Sequence, residues 1–145
     1  MPKKLPYDIF LKTFDLVPRV ALSLIISDSQ NKVLLTKRDI PPFPGSWHIP
    51  GSFLLKNESI NDCLMRVAKK ELGFVLDVKK TKLLGVFEDL NKDPRGHVID
   101  IMYGYKMEYI HIKSVGDSEE IRFFAKLPPN ISFNHRETLI ELGFK

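Results

Sequence analysis

Apolar runs separated by turn-forming clusters extend along most of the chain and predict a fold that mixes strands with a few helices. Residues Arg19–Ser27 are apolar and rich in branched side chains, which favours a strand. Val33–Lys37 repeats this pattern after the turn cluster Asp28–Asn31, so the two runs predict a hairpin. The further extended segments that the pattern predicts are Trp47–Ile49, Lys82–Glu88, Val98–Glu108 and Glu120–Lys126.

One segment has the period of an amphipathic helix. Asn57 or Ser59 can cap its start, and Gly73 ends it. Its apolar residues recur three or four positions apart and are Ile60, Cys63, Leu64, Val67, Ala68 and Leu72. The shorter helices that the pattern predicts are Tyr7–Phe14 and Asn134–Leu142. Together these elements indicate a mixed sheet with few helices, an α/β or α+β sandwich.

The length and composition fit one globular domain over residues 1–145, with residues 1–16 as an N-terminal arm. Of the 145 residues, 43% are hydrophobic and 28% are charged, so the chain can bury a sizeable core and remain soluble. The net charge of +4 suits an anionic ligand. The lysines are scattered along the chain, and we therefore expect no nucleic-acid partner.

The number of cysteines indicates the redox environment of the protein, and the length of the apolar runs indicates whether the chain could cross a membrane. Because Cys63 is the single cysteine, an intrachain disulfide and a cysteine-based zinc site are excluded. A free thiol and the absence of a signal peptide favour a reducing cytoplasm. The longest strongly apolar run, Val20–Ile26, is far too short to span a bilayer, so we expect no membrane partner.

The residues that suggest chemistry lie between Gly51 and Gly73. An enzyme that cleaves a pyrophosphate must neutralise clustered phosphate oxygens, commonly with a divalent cation, and must activate water. A glycine lets the backbone approach such a ligand closely, and a helix can present acidic side chains at i, i+3 and i+4 on one face. The residues of this chain that match these requirements are Pro50-Gly51-Ser52, followed by Glu58, Arg66, Glu71 and Gly73.

This segment resembles the Nudix box, in which a glycine, a glutamate, an arginine-glutamate pair, two further glutamates and a last glycine recur at fixed spacing. Ser52 stands where the box has its first glycine, and Gly73 matches the last one. Glu58 and Arg66 match the supporting glutamate and arginine, and the resemblance implies that they pair and pin the loop to the helix. Glu71 matches the final glutamate, which implies a metal ligand.

Two of the glutamates of the box are replaced in this chain. Val67 and Lys70 occupy their positions, so Val67, Lys70 and Glu71 together carry no net charge. A cluster of several cations would lack charge compensation, and we expect one Mg²⁺ or Mn²⁺ at Glu71, helped by the Gly51 carbonyl. Alternatively, the Lys70 ammonium takes the place of a cation and binds phosphate as a point charge, or it is simply a solvated helix lysine.

The resemblance continues outside the box. Lys37-Arg38, the lead-in from Gly45 through Trp47 to Gly51, residues 93–97 and residues 120–124 are similar to segments of the family in the same order. The segment 93–97 resembles one that is common in members acting on ADP-ribose. Arg38 and Arg95 are expected to clamp phosphate or sugar, because a guanidinium offers paired donors, and the alternative for each is a surface arginine.

The GDP-mannose glycosyl hydrolases, a branch of this family, also lack part of the helix glutamate set. They keep the glutamate that matches Glu71, use one magnesium and take a base from a late loop, and residues 66–73 of this chain resemble theirs. The corresponding late segment here offers Asp117, Glu119 and Glu120 in place of their histidine. We expect the general base at Glu119 or Glu120 and a second metal ligand at Asp117.

The resemblance implies a Nudix-type α/β/α sandwich with a mixed sheet. It also implies a Mg²⁺-dependent hydrolase for a nucleoside diphosphate linked to another group, such as a nucleotide sugar or an ADP-ribose-like compound. The loss of two helix glutamates supports a second hypothesis, a Nudix-fold module that binds a nucleotide without cleaving it. The expected partner is a small nucleotide, and a homodimer is left open.

Overall fold

The computed structural model describes residues 2–108 and 118–145, without the side chains of residues 118 and 119. Its helices are α1 (Tyr7–Thr13), α2 (Ile60–Val67) and α3 (His135–Glu141). Its strands are β1 (Arg19–Ser27), β2 (Val33–Arg38), β3 (Trp47–His48), β4 (Gly51–Phe53), β5 (Lys82–Asp89), β6 (Val98–Lys106) and β7 (Ser118–Phe124). Within these ranges, no helix has the length and apolar composition that crossing a membrane requires. The strands form one mixed sheet, which confirms the predicted fold class.

Strand β1 is the centre of the sheet. All nine of its residues pair in parallel with β6, from Arg19 opposite Val98 to Ser27 opposite Lys106. Its other edge is divided, because β4 pairs antiparallel with residues 21–23 and β2 pairs with Ser27. β2 continues the sheet to β3 and β7, and β5 pairs with β6. Every strand is thus tied to β1 directly or through one neighbour.

Both faces of β1 are buried, which explains why apolar residues at successive positions, interrupted by Ser23, make up most of the strand. Leu22 and Leu24 are fully buried in a cluster that contains Leu64 of α2. Ile25 points to the opposite face and packs in a second cluster that contains Leu139 of α3. The sheet is therefore sandwiched between α2 and α3, as the predicted α/β/α architecture requires.

Helix α2 begins and ends where the sequence predicts. The Ser59 hydroxyl accepts the Asp62 N–H at 3.0 Å, so Ser59 rather than Asn57 is the cap. The helical segment ends at Gly73, whose φ of 71° is left-handed. The sequence signals for both termini are therefore correct.

The last turn of this segment differs from the prediction of a regular α-helix. Residues Ala68–Leu72 form a π-helical turn. Val67 and Leu72, five positions apart, are both buried in the core cluster beside β1, a spacing that the wider turn accommodates. Such single π-helical turns often occur at functional sites, and this one carries Lys70 and Glu71.

Gly51 begins a strand, whereas the sequence predicted a turn there. It lies opposite Ser23 of β1. A Cβ atom at this position would be 2.6 Å from Ser23 Oγ and 2.7 Å from the Leu22 carbonyl oxygen. The close approach of β4 to β1 therefore requires the glycine, independently of any ligand.

An aromatic cluster ties the N-terminal arm to the sheet. The Phe10 ring of α1 contacts Phe14 and Phe53 edge-on, with centroids 5.2 and 5.3 Å apart. The guanidinium groups of Arg19 and Arg95 lie over the Phe10 ring at 5.3 and 5.9 Å. The predicted helix of the arm is present, and it packs beside β4 through these contacts.

A largely buried ion pair joins α2 to the loop before it. Arg66 Nε donates to Glu58 Oε2 at 2.8 Å, and Nη2 donates to Oε1 at 2.9 Å. The Leu55 N–H donates to the same carboxylate at 3.1 Å, and only 4% of the Glu58 side chain is exposed. The hydrogen bonds from Arg66 lower the pKa of Glu58 below its ordinary 4.5, against the opposing effect of burial.

We expect Glu58→Gln to destabilise the protein by about 2 kcal/mol at neutral pH, because Arg66 stays buried with its charge uncompensated. Since folding lowers the pKa of Glu58, its contribution is complete above the unfolded pKa, taken as 4.5, and is lost as the pH falls through the folded value. The difference between wild type and variant should therefore shrink at acid pH. Urea unfolding over a series of pH values measures it.

Glu141→Gln is the matched control, because Glu141 is an exposed glutamate on α3. Its free energy of unfolding should stay within about 0.5 kcal/mol of wild type throughout the series. An equal loss in both variants would contradict the role of Glu58. A loss of unfolding free energy in the Glu58 variant that stays the same at acid pH would also contradict this role.

Candidate active site

A cavity of about 530 Å³ opens beside β4 and the π-helical turn. Small-molecule sites have volumes of about 300–1,000 Å³, so it is large enough for a nucleotide. Its wall combines parts of β1, the loop after β2, the segment between β5 and β6, and the start of α3. Four residues predicted for the site line it: Gly51, Glu71, Arg38 and Arg95.

The register of β4 determines the direction of the Gly51 carbonyl. Leu24 N–H donates to Pro50 O and Leu54 N–H donates to Val20 O, each at 2.9 Å. These bonds define the hydrogen-bonded pairs between β4 and β1. In an antiparallel ladder the intervening positions turn their backbone groups away from the partner strand. The Gly51 carbonyl therefore points away from β1.

The contacts of Phe53 show that α2 faces the edge of β4 that points away from β1. Its carbonyl is on the same edge of β4 as that of Gly51, and it accepts a hydrogen bond from Arg66 Nη2 at 3.1 Å. Arg66 belongs to α2, the helix that continues into Glu71. The Gly51 carbonyl and Glu71 are therefore presented by facing elements at the edge of one cavity.

The three helix positions of the box, Val67, Lys70 and Glu71, have different surroundings in the structure. Glu71 is half-buried and lines the cavity. Lys70 is exposed and is not part of the cavity wall. Val67 is 1% exposed and packs in the core, so its position faces the sheet. Of these three positions, the structure brings only Glu71 to the site.

Arg38 and Arg95 are held close to one another in the cavity wall. Arg95 Nε and Nη2 donate to the two oxygens of Asp93 at 3.0 and 2.8 Å. Arg38 Nε donates to the Pro42 carbonyl at 2.6 Å, and both guanidinium groups lie over the Phe133 ring, at 5.2 and 5.7 Å. Burial, and then the charge of Arg95, lowers the pKa of Arg38. An anionic ligand would relieve both effects.

A polar cluster that the sequence analysis missed lies in the same wall. Ser23 Oγ donates to Asp100 Oδ1 at 2.8 Å, and Asp100 Oδ2 lies 3.8 Å from His135 Nε2. His135 Nδ1 accepts the Ile49 N–H at 3.0 Å, so α3 holds the segment that leads into Gly51. The available sequence signal was Asp100, a charged residue within an otherwise apolar strand.

His48 lies beside this cluster, with its ring centroid 6.2 Å from that of His135. Its Nε2 is within hydrogen-bonding distance of the Thr36 hydroxyl, at 3.1 Å. Burial, and then His135 and Arg38, holds the pKa of His48 well below 6.5. His48 is therefore a neutral hydrogen-bonding group at pH 7 and adds no positive charge to the cavity.

Of the three late carboxylates predicted for the site, the structure describes the side chain of Glu120. Glu120 lies 3.9 Å from Lys37 Nζ and 2.9 Å from Arg122 Nη2, and it does not line the cavity. Its position follows from β7, which pairs with β2. Asp117 lies outside the described residues, and Glu119 is described only as backbone of β7.

The donors at Gly51 and Glu71 suit one hard cation. The described ranges, 2–108 and 118–145, contain no group of three or more His, Cys, Asp or Glu residues that could hold a metal ion. Mg²⁺ is usually bound by one or two carboxylates, with waters and substrate phosphates as its other ligands. The Glu71 carboxylate and the Gly51 carbonyl are oxygen ligands of the kind that a divalent cation such as Mg²⁺ takes.

Comparison with known proteins identifies a family and two relatives. Residues 17–139 match the NUDIX domain family. An ADP-ribose pyrophosphatase of Methanocaldococcus jannaschii is 36% identical over 123 residues, which cover 84% of this chain and 71% of that protein. A low-salt glycan biosynthesis protein of Haloferax volcanii is 43% identical over 72 residues, which cover 50% of this chain and 44% of that protein.

A solved structure agrees with these matches. The MutT NUDIX hydrolase from Burkholderia pseudomallei has a TM-score of 0.76 at 25% identity, covering 87% of this chain and 98% of that chain. The family match includes β1, β4, α2 and the cavity residues from Arg19 to His135. The chain therefore belongs to the NUDIX domain family and is a Nudix-type hydrolase that keeps, of the three helix carboxylates of the box, Glu71.

Proposed function

We propose that the protein hydrolyses a nucleoside diphosphate linked to another group, an ADP-ribose-like compound or a nucleotide sugar, with one Mg²⁺ or Mn²⁺. The supporting observation is that Glu71, the Gly51 carbonyl, Arg38 and Arg95 meet at one cavity of about 530 Å³. One cation and two guanidinium groups complement the charge of a diphosphate. The ADP-ribose pyrophosphatase relative supports the same class of substrate.

The protein's own groups bind and orient this substrate. Arg38 and Arg95 donate their hydrogen bonds through Nε and Nη2 to protein oxygens, which fixes both guanidinium planes. We propose that the Nη1 groups of the two arginines donate to phosphate oxygens. The His135–Ile49 hydrogen bond keeps the segment before Gly51 in place. When bound, the cation polarises a phosphate oxygen and lowers the pKa of a coordinated water.

The general base is proposed in the segment 117–120. Removal of a proton from water by a positioned carboxylate contributes about 10²–10⁴-fold to such reactions. Glu120 is engaged by Lys37 and Arg122, which makes Asp117 and Glu119 the first candidates. Asp117 is also proposed as a second ligand of the cation.

A nucleotide-binding module without turnover is the second candidate function. Val67 is part of the core and Lys70 is exposed, so of these three helix positions Glu71 alone supplies a carboxylate to the cavity. Such a protein would keep the arginines and the cavity and bind the same ligands. Ligand-dependent thermal stabilisation without product formation would identify it.

The cellular setting is also a proposal. The Cys63 thiol is buried, and burial raises its pKa to about 12, so it is a core residue and not a reactive group. A free buried thiol is compatible with a reducing cytoplasm. The proposed partner is a small nucleotide, with no nucleic acid, and a homodimer remains a prediction.

Glu71→Gln is expected to lower turnover of ADP-ribose or a nucleotide sugar by on the order of 100-fold or more, because several kcal/mol of charge stabilisation depend on the cation. Product formation should be measured over a panel of these substrates with Mg²⁺ or Mn²⁺. The wild type should be inactive with chelator.

Glu141→Gln, an exposed carboxylate outside the cavity wall, is the control and should keep wild-type turnover. Equal activity of the Glu71 variant and the wild type would overturn the metal site. A wild type that binds these ligands without forming product would favour the binding module.

Single substitutions in the late segment should locate the base. Asp117→Asn or Glu119→Gln is expected to lower kcat by about 10²–10⁴-fold, with a much smaller effect on KM. Glu120→Gln should chiefly lower the melting temperature, because it removes the contacts to Lys37 and Arg122. A large loss of kcat in the Glu120 variant alone would instead assign the base to Glu120.

A further inference from the structure

The N-terminal arm contributes to the cavity wall although it lies outside the family match. The match begins at residue 17, whereas the cavity is lined in part by Lys3, Lys4, Leu5, Tyr7 and Phe10. Phe10 packs against a small core cluster, whereas the other four residues are exposed and stand at the rim of the cavity. This part of the wall is therefore formed by residues that precede the matched family domain.

The arm is fixed close to one of the proposed phosphate-binding groups. Phe10 contacts Phe53 of β4, with ring centroids 5.3 Å apart, and the Arg95 guanidinium lies 5.9 Å from the Phe10 centroid. Tyr7 precedes Phe10 by three positions, so the two share one side of the helix. Their rings are within 8° of parallel, with centroids 6.2 Å apart. Tyr7 is therefore presented beside the group that would hold the diphosphate.

We propose that Tyr7 is the stacking platform for the nucleobase of the ligand. The Tyr7 residue is 69% exposed although it lines the cavity, so its ring is available to a ligand. Aromatic rings stack on any nucleobase, since every base has a π face. The inference rests on the proposed function only in that the ligand carries a nucleoside diphosphate, and it does not require turnover.

The rest of the arm distinguishes Tyr7 from an incidental exposed residue. Ile9 and Leu11 are also exposed on α1, at 47% and 37%, but neither lines the cavity. Lys3 and Lys4, which do line it, add positive charge beside the ring. An aromatic face next to cationic groups suits a base that is followed by phosphates, and it does not suit a purely apolar ligand.

The test compares a ligand that has a base with one that lacks it. Calorimetry with Mg²⁺ should measure the dissociation constants of ADP and of inorganic pyrophosphate for wild type, Tyr7→Ala, Tyr7→Phe and Ile9→Ala. We expect Tyr7→Ala to weaken ADP binding by on the order of 10-fold, the loss that removal of one stacking aromatic gives. Pyrophosphate binding should be unchanged, and Tyr7→Phe and Ile9→Ala should match wild type with both ligands.

The outcomes separate this inference from the proposed function. Unchanged ADP binding by Tyr7→Ala would overturn the stacking role and leave the hydrolase proposal intact. An equal loss for ADP and pyrophosphate would also overturn it, because the arm would then act on the whole site. If the wild-type protein binds ADP but forms no product from the substrate panel, the hydrolase proposal alone would be overturned. A wild type that binds neither ligand would remove both.

Discussion

The hydrogen bonds of the Arg66 guanidinium are the constraint on which the site depends. This side chain binds Glu58 in the loop, Ser52 Oγ at 2.9 Å and the Phe53 carbonyl at 3.1 Å. β4 has only three residues, so its pairing with β1 alone does little to fix its distance from the helix. Arg66 joins that strand to α2, and the Gly51 carbonyl and Glu71 are thereby held by one rigid unit, as a preorganised site requires.

The residues that differ from the family box leave these hydrogen bonds intact and change which side chains could bind a metal ion. Ser52 replaces a glycine and adds the hydroxyl that Arg66 binds. Val67 replaces a glutamate and is buried among the side chains of the sheet and α2. Burial of such an apolar side chain stabilises the fold by roughly 1.5–3 kcal/mol, whereas a carboxylate in the same place would need a cation beside it. At this position the chain thus has core packing in place of a carboxylate.

Periodicity and caps predicted the helices, the Gly73 terminus and the strands other than β4, because these depend on local sequence; β4 begins at Gly51, where a turn was predicted. The π-helical turn was not predictable, since it depends on how the segment packs against β1. The cluster of Asp100, His135 and Ser23 was missed for a similar reason. Its members lie 77 and 35 positions apart in the chain, and only the topology of the sheet brings them together. Glu120 was expected at the site, but its pairing through β7 to β2 directs it to Lys37.

Charge in the cavity sets the number of cations that it can hold. Asp93 already compensates the Arg95 charge through two hydrogen bonds, so this guanidinium offers a phosphate hydrogen-bond donors but little net positive charge. Arg38 and Glu71 add one positive and one negative charge to the same wall, and the two charges interact. A second cation would need a further carboxylate near Glu71, where the helix offers only a core valine and an exposed lysine. Catalysis with one cation leaves the activation of water to a base outside the helix.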